Sequence, residues 1–242
     1  MNLHDHSFLQ TIAERAACIL EKSGPNGPPI SEEKELYVIT SLIAAEELAS
    51  QVDQLAYAEL WLSGYRRSRM TRPGFPSRVD YIAYHLENHH IRTVALYERA
   101  LMLTNVVFQL GLPERACSKQ TVAKNNHVDG SRVSTALAYL EEAVRPSRER
   151  RNLIVHRRAY LDPELSEAKK FFVLEAVDLN KGEVSPTVRR YRPTYKRLTD
   201  AYVRERKDEL KALNQTLGEC ASDLFDALEP EFAIRCEVVV AG

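Results

Sequence analysis

Long segments with a helical spacing of apolar residues alternate with short stretches rich in glycine and proline. The two longest segments run from Ser31 to Leu62 and from Ser77 to Gly111. In the first, Leu36, Ile39, Ile43, Val52 and Leu55 fall mostly on one face of a helix, and acidic residues occupy its first turn. The whole chain has only 9 glycines among 242 residues. This pattern predicts an all-α protein built around two long helices.

The shorter segments complete an up-and-down antiparallel helical bundle. An N-terminal helix over about 7–22 precedes the break SGPNGPPI at 23–30, and the loop RMTRPGFP at 69–76 separates the two long helices. A shorter helix is expected over 113–127, with a turn in HVDGS at 127–131. Pro163 and Pro193 are expected to open two further helices, separated by LNKGEVSP at 179–186. The last helix should run from about 194 to 228, which gives a single bundle.

Three regions follow from this arrangement. Residues 1–30 form an N-terminal helix and linker, and residues 31–228 form the helical domain. Residues 229–242 form a tail whose segment AIRCEVVV has the composition of a strand. Because a lone strand has no partner within the chain, the tail is expected to be disordered or to add to another molecule.

Composition favours a soluble protein of the cytoplasm without a structural metal. Hydrophobic residues make up 44% and charged residues 28% of the chain. No apolar run approaches the roughly 18 residues of a membrane span, and the N-terminus does not have the pattern of a signal peptide. The four cysteines are scattered, which predicts reduced thiols and no paired zinc ligands.

Charge is distributed unevenly although the net charge is only −1. The stretches 65–72, 145–158 and 188–197 together hold 15 of the 33 lysines and arginines and a single acidic residue, Glu149. Basic patches of this kind make a polyanion a plausible partner. Taken one at a time, each stretch is equally consistent with a solvated loop or helix end.

The stretch RERRNLIVHRR, residues 148–158, carries the candidate chemistry. On a helix Asn152 and His156 share a face, and Arg151 lies about 140° from His156 around the axis. The apolar residues Leu153, Ile154 and Val155 are expected to anchor the segment in the core. The polar side chains would then point into a cleft.

Residues Arg151 to His156 resemble the R-x4-6-H motif of the HEPN superfamily, including the polar residue, Asn152, that commonly follows the arginine. The helical region of about 31–228 is similar to the larger stand-alone bacterial branch of that superfamily. The resemblance implies an endoribonuclease that uses no metal or other cofactor and whose site lies between the two protomers of a homodimer. Arg151 would hold the scissile phosphate, His156 would move the proton of the attacking group, and Asn152 would orient His156 or contact phosphate. Arg150 is an alternative first residue of the motif.

The same resemblance implies RNA as a partner and a role as the toxin or effector of a toxin–antitoxin or antiviral system, with an antitoxin or other defence protein as a possible second partner. Seven further arginines are expected to contact the RNA backbone: Arg148, Arg150, Arg157, Arg158, Arg189, Arg190 and Arg192. Tyr191 and Tyr195 lie among Arg189, Arg190, Arg192 and Arg197 and could stack on bases, although one of them is expected to pack in the core.

Other functions remain open at this stage. His85 and His89 have a spacing seen in metal sites, but no third ligand is evident. Glu87, His90 and Arg92 on the same segment could instead line the catalytic cleft. A HEPN-like bundle that binds RNA or a protein without cleaving RNA, and a helical scaffold with no RNA role, are the two remaining alternatives.

Overall fold

The computed structural model describes residues 2–23, 30, 32–65, 77–157 and 162–238, and helices dominate these residues. Its α-helices, in chain order, are α1 (Ser7–Ser23), α2 (Glu33–Leu62), α3 (Arg78–Val107), α4 (Arg132–Arg157), α5 (Pro163–Asn180) and α6 (Pro186–Val238). Short helical turns cover Leu3–Asp5, Glu114–Ala116 and Lys119–Ala123. No strand occurs among the described residues, so the all-α prediction is confirmed. The predicted linker at 23–30 and loop at 69–76 lie almost wholly outside them.

Side-chain caps explain where three of the helices begin. Ser77 and Asp80 bond reciprocally across the first turn of α3, because each side chain accepts a hydrogen bond from the other's backbone N–H. The Asp162 carboxylate accepts bonds from the backbone N–H groups of Glu164 and Leu165 at the start of α5. At the start of α6, the Ser185 hydroxyl oxygen accepts a hydrogen bond from the backbone N–H of Val188. These residues satisfy N–H groups that have no partner within the helix itself.

The chain divides into two compact units whose boundaries fall inside α2, α3, α4 and α6. Unit 1 comprises Met1–Asp53, Thr93–Arg145 and Gln215–Gly242. Its core contains edge-to-face contacts of Phe8 with Phe225 and Phe232, at centroid distances of 5.3 and 5.9 Å. Tyr37 stacks on Phe232, and its hydroxyl donates to the Val107 carbonyl. Helix α1 is therefore an integral part of the core of unit 1.

Unit 2 comprises Gln54–Arg92 and Pro146–Asn214. Its apolar core joins the end of α2, the first half of α3, α5 and the middle of α6. The buried members are Leu62, Val79, Ile82, Leu86, Leu165, Ala168, Tyr202, Val203 and Leu210. Pro146 is the first residue that α4 contributes to this unit, and it lacks the N–H that would bond the preceding turn. The arginine-rich motif thus lies wholly in unit 2.

The last helix differs from its prediction at both ends. Helix α6 begins at Pro186, so Pro193 lies inside it, and it continues to Val238. Residues 229–238, expected to be strand-like or disordered, are helical because Phe232 and Cys236, one turn apart, are buried in unit 1. Their burial outweighs the weak strand preference of the local composition. Residues 239–242 lie outside the described residues.

Two smaller predictions are also wrong. The segment 113–127 forms a 3-10 turn and a π-helical turn instead of one helix. Ser118 and Thr121 bond each other's backbone N–H groups there, which offers the chain an alternative to a regular helix. On α2, Leu36 and Ile43 are exposed, and the buried stripe instead follows Val38, Ser41, Ala45 and Leu48.

None of the helices among the described residues has both the length and the apolar character that a membrane span requires.

Candidate functional site

The arginine-rich motif forms the last turns of α4, which is helical through Arg157. Asn152 is exposed, Arg151 is partly buried, and Nη1 of Arg151 donates to Oδ1 of Asn152 at 3.4 Å. Residue 156 belongs to this helix, so Asn152 and His156 occupy one face of it. The side chains of His156 and Arg157, and the whole of Arg158, lie outside the description. The convergence of Arg151 and His156 on one phosphate stays a prediction.

The side of α4 that packs against the rest of unit 2 carries a polar residue, Ser147, near the motif. Ser147 is buried, and Ile154, two turns later on the same stripe, is partly buried. The arginines at 150 and 151 lie on either side of that stripe, by about 60° and 40° of helix rotation. Arg150 and Arg151 are therefore both placed at the edges of the packed surface, where an arginine can use its aliphatic stem for packing and its head for a ligand.

The apolar residues of the motif do not anchor it in the core as predicted. Leu153 is 55% exposed and Val155 is 57% exposed, and Ile154 alone of the three is partly covered. Helical periodicity gives the reason, because three consecutive residues span 200° of the helix surface and cannot all face one core. The motif consequently has uncovered apolar surface beside its polar groups.

His90 of α3 joins two residues of α4 through its two ring nitrogens. Nδ1 lies 3.2 Å from Oγ of Ser147, and Nε2 lies 3.4 Å from Nη1 of Arg150. Because a guanidinium can only donate, Nε2 must accept, and the ring proton on Nδ1 is donated to Ser147. Burial, followed by the nearby His89 and the positive charge of Arg150, lowers the pKa of His90 to about 3. A neutral imidazole thus holds Arg150 one residue before the motif arginine.

A second buried histidine fixes the neighbouring helices of unit 2. Nε2 of His89 lies 2.8 Å from Oδ1 of Asn214 on α6, and Nδ2 of Asn214 donates to the Leu55 carbonyl on α2. Burial lowers the pKa of His89. Nε2 of His89 is therefore engaged in a hydrogen bond that joins α3 to α6. No group of three or more metal-binding side chains occurs in the part of the chain that the structure describes.

The other residues proposed to line the cleft have different surroundings. Arg92 donates to Asn88 on its own helix and to Gln54 on α2. Glu87 lines a cavity of about 180 Å³ together with Asp80 and Lys169, and the last two form an ion pair at 2.9 Å. His90 contacts the arginine-rich stretch through Arg150.

The third basic stretch contributes both exposed and packed side chains. Arg189 and Arg190 are exposed, and Arg190 lies over the ring of exposed Tyr191. Arg192 differs, because its Nε donates to the buried carboxylate of Glu175 at 2.7 Å. Tyr195 stacks on Phe171 with a centroid distance of 4.3 Å. One tyrosine therefore packs in the core and the other faces solvent, as predicted.

Sequence reasoning did not find the contacts of His90 with Ser147 and Arg150. The signal available was weak: two adjacent histidines and a serine at otherwise apolar helical positions. Ser147 and His90 are 57 residues apart, so their meeting depends on how α3 and α4 pack and not on any local spacing.

The comparisons with known proteins give one match. The family model described as HEPN_Cthe2314-like HEPN matches residues 37–188, which is well over half of the chain and includes the whole motif. No curated protein and no solved structure matches the chain.

Proposed function

Because the chain belongs to the HEPN_Cthe2314-like HEPN family, we propose that it is a metal-independent endoribonuclease. HEPN domains suggest an RNase-like or nucleotide-related function, and the motif on α4 supplies the groups that RNA cleavage needs. Arg151 holds the scissile phosphate, His156 accepts the proton of the attacking hydroxyl, and Asn152 orients His156 or contacts the phosphate.

The chemistry needs no activated water, because RNA carries its own nucleophile in the neighbouring 2′-hydroxyl. Attack of that oxygen on phosphorus forms the new P–O bond as the bond to the 5′-oxygen breaks. The nucleophile's proton passes to an imidazole, whose ordinary pKa near neutrality suits a general base. A guanidinium stabilises the negative charge that develops on the phosphorane oxygens. The departing 5′-oxygen takes up a proton from water, and the imidazolium returns its proton to water, so the products are a 2′,3′-cyclic phosphate and a 5′-hydroxyl with the imidazole neutral again.

The observation that supports this proposal most is the position of the motif inside the family match on one continuous helix. The hydrogen bond from Arg151 to Asn152 adds to it. Asn152 accepts from Arg151 and so restricts the orientation of the guanidinium, while its own amide group remains able to donate to a phosphate.

We further propose that the active form is a homodimer with a site shared between the two copies. On α4 the positions of Arg151 and His156 are about 140° apart, which makes it difficult for one helix to present both to the same phosphate. The exposed side chains of Leu153 and Val155 would supply apolar contact area between the copies.

The RNA backbone would be held by the remaining arginines near the motif and on α6: Arg148, Arg150, Arg157, Arg158, Arg189 and Arg190. Arg150 is the best supported of these, because its guanidinium is held by the ring of His90. Arg192 is left out of the proposed contact, since it pairs with the buried Glu175.

A nuclease of this kind would be the toxin or effector half of a toxin–antitoxin or antiviral system acting in the cytoplasm. Unrestrained RNA cleavage harms the host, so an antitoxin or another defence protein would hold it in check. Induced expression of the wild type should then arrest growth, and expression of His156→Ala should not.

The decisive experiment is incubation of purified protein with single-stranded RNA in the presence of a chelator. Wild type should cleave and leave 2′,3′-cyclic phosphate ends, whereas Arg151→Ala and His156→Ala should lose at least about 100-fold in rate. Arg145→Ala is the matched control. Arg145 is exposed on the same helix, pairs with Glu142, and is not part of the proposed site.

Each result bears on a different part of the proposal. Cleavage that persists in either Arg151→Ala or His156→Ala would remove that residue from the site. Cleavage that stops in the chelator would contradict the metal-independent mechanism. RNA binding without cleavage by the wild type would assign the chain to the inactive, RNA-binding alternative.

A further inference from the structure

Three exposed aromatic rings lie at the end of α2 and on α3 of unit 2. Tyr57 and Trp61, one helical turn apart, stack with a centroid distance of 5.7 Å and an interplanar angle of 21°. Tyr84 stands on α3. Tyr57 is 48%, Trp61 50% and Tyr84 63% exposed. We call these three residues the aromatic patch, and the catalytic motif does not use any of them.

Two further residues, His85 and Tyr81, pack against the aromatic patch. His85 is buried, and its ring packs against Trp61 and Tyr84 at centroid distances of 6.1 and 5.3 Å. Tyr81 packs on His85 at 4.4 Å, and its hydroxyl donates to the Trp61 carbonyl at 2.7 Å. A Cβ at Gly64 would lie 3.0 Å from that hydroxyl, so glycine permits the close approach. The exposed rings are therefore pre-ordered, and a ligand that stacks on them gives up little side-chain entropy.

His85 is unusual within this cluster. It is only 7% exposed, and its Nδ1 atom has no hydrogen-bond partner among the residues that the structure describes. Burial lowers the pKa of His85, so the ring is neutral at pH 7. A buried ring nitrogen without a partner has a desolvation cost, which a hydrogen bond with a water or a ligand group would reduce.

The chemistry of the aromatic patch fits the bases of a single-stranded nucleic acid. Flat ring faces accept any base, because every base has a π-face, and they do so on a scaffold that fixes their orientation. The sequence that continues from Tyr65 reads RRSRMTR, with four arginines and no acidic residue. That segment lies outside the described residues and is not counted in the site, but its charge suits a partner that carries phosphates.

We propose that the aromatic patch is a stacking platform for the bases of single-stranded RNA. The inference rests on the proposed function for the identity of the nucleic acid, and it narrows the substrate class to unpaired RNA, since the bases of a duplex are already stacked on each other. Stacking of a base on an aromatic ring changes affinity by about 5- to 150-fold per base.

The chain contains a single tryptophan, so Trp61 fluorescence reports on the aromatic patch directly. The probe is a short single-stranded 2′-O-methyl oligoribonucleotide, which lacks the free hydroxyl needed for cleavage. Titration of the full-length protein at low salt should quench Trp61 in a saturable manner. An abasic oligomer of the same length and charge should not quench it, and neither should a duplex of the same sequence.

Substitutions then test the rings one by one with a labelled oligomer and fluorescence anisotropy. Tyr84→Ala and Trp61→Ala should each weaken binding within the 5- to 150-fold range given above, and Trp61→Phe should retain most of the affinity because a ring remains. Tyr139→Ala is the matched control, because Tyr139 is equally exposed, at 64%, but lies on the unit 1 part of α4. It should bind as the wild type does.

Several results would overturn the proposal. The first is binding without quenching, the second is quenching by the abasic oligomer, and the third is wild-type affinity in Tyr84→Ala and Trp61→Ala. Absence of any binding to the probe would overturn it as well. A blue shift of Trp61 that depends on protein concentration without RNA would show instead that a second copy covers Trp61 and its exposed neighbour Leu60.

The experiment separates this inference from the proposed nuclease. The uncleavable probe measures stacking in wild type and in His156→Ala alike, whereas the proposed nuclease is tested by cleavage of ordinary RNA. Quenching without cleavage would support the stacking platform and contradict the nuclease proposal. Cleavage without quenching would support the nuclease proposal and contradict the stacking platform.

Discussion

Replacement of His90 by glutamine is expected to lower the acid sensitivity of folding by about 2 kcal/mol between pH 7.5 and 5.0. His90 is 5% exposed, it lies between Ser147 and Arg150, and its pKa is lowered to about 3. Glutamine keeps a donor and an acceptor of similar reach but does not titrate. The substitution therefore removes the proton that His90 binds on unfolding at low pH, and it changes the packing little.

The size of the effect follows from the two pKa values. The ordinary pKa of histidine, 6.5, applies to the unfolded chain, and the value of about 3 applies to the folded one. As the pH falls below 6.5, the unfolded state binds a proton that the folded state does not, so stability is lost until the pH reaches the folded value. Between pH 7.5 and 5.0 the wild type should lose about 2 kcal/mol through His90 alone, at roughly 1.4 kcal/mol per pH unit.

Urea unfolding of both proteins at pH 7.5 and 5.0 measures this quantity. The other titrating groups contribute equally to both proteins, so the pH-dependent change in the free energy of unfolding should be smaller in His90→Gln by about 2 kcal/mol. His127→Gln is the control, since it makes the same substitution at a histidine that is exposed.

An unchanged pH dependence in His90→Gln would refute the reasoning. It would mean that the ring is protonated in the folded protein or reaches solvent, and the assignment of Nε2 as the acceptor for Arg150 would then be wrong. A difference of the opposite sign would lead to the same conclusion.

Three further predictions concern stability and assembly. Arg192→Ala removes a partner of the buried Glu175 carboxylate and should lower the free energy of unfolding by about 1–3 kcal/mol in urea, with partial recovery on adding Glu175→Leu. Asn214→Ala removes the hydrogen bonds to His89 and to the Leu55 carbonyl and should cost about 2–5 kcal/mol, whereas a loss below 1 kcal/mol would contradict the contacts. Leu153→Asp should shift a wild-type dimer toward monomer in sedimentation equilibrium, and an unchanged mass would show that Leu153 is not at the dimer contact.

The helices were predictable where local signals agree. Ser77 and Pro163 mark the starts of α3 and α5, and the stretch 179–186 separates α5 from α6. Capping groups and proline act within a few residues along the chain, so one sequence is sufficient to locate them. The motif itself was recognisable for the same reason, because its spacing is a property of one helix.

Prediction failed where distant packing outweighed local preference. Residues 186–192 precede Pro193 in a single helix, because Val188 is buried and Arg192 pairs with Glu175 of α5. The valine-rich tail is helical as far as Val238 because Phe232 packs against Phe8 and Tyr37. Burial of one large side chain contributes about 2–3 kcal/mol, which exceeds the few tenths by which helix propensities differ.

The surroundings of the candidate site also depended on tertiary structure. Periodicity identified Leu153 to Val155 as apolar, but it could not show whether their own subunit covers them. The structure leaves two of the three exposed. Likewise the sequence offered Arg150 only as an alternative to Arg151, and the packing of α3 against α4 within unit 2 gives Arg150 a histidine partner.

The sequence by itself determined the helical class, most of the helix starts and the residues of the motif, because these depend on neighbours within one or two turns. The tertiary structure decided which of those residues are buried, which histidines are neutral and which aromatic rings face solvent. Those properties depend on contacts between residues on different helices, such as His90 with Ser147 57 positions away, and the spacing of residues within one helix does not show which helices meet.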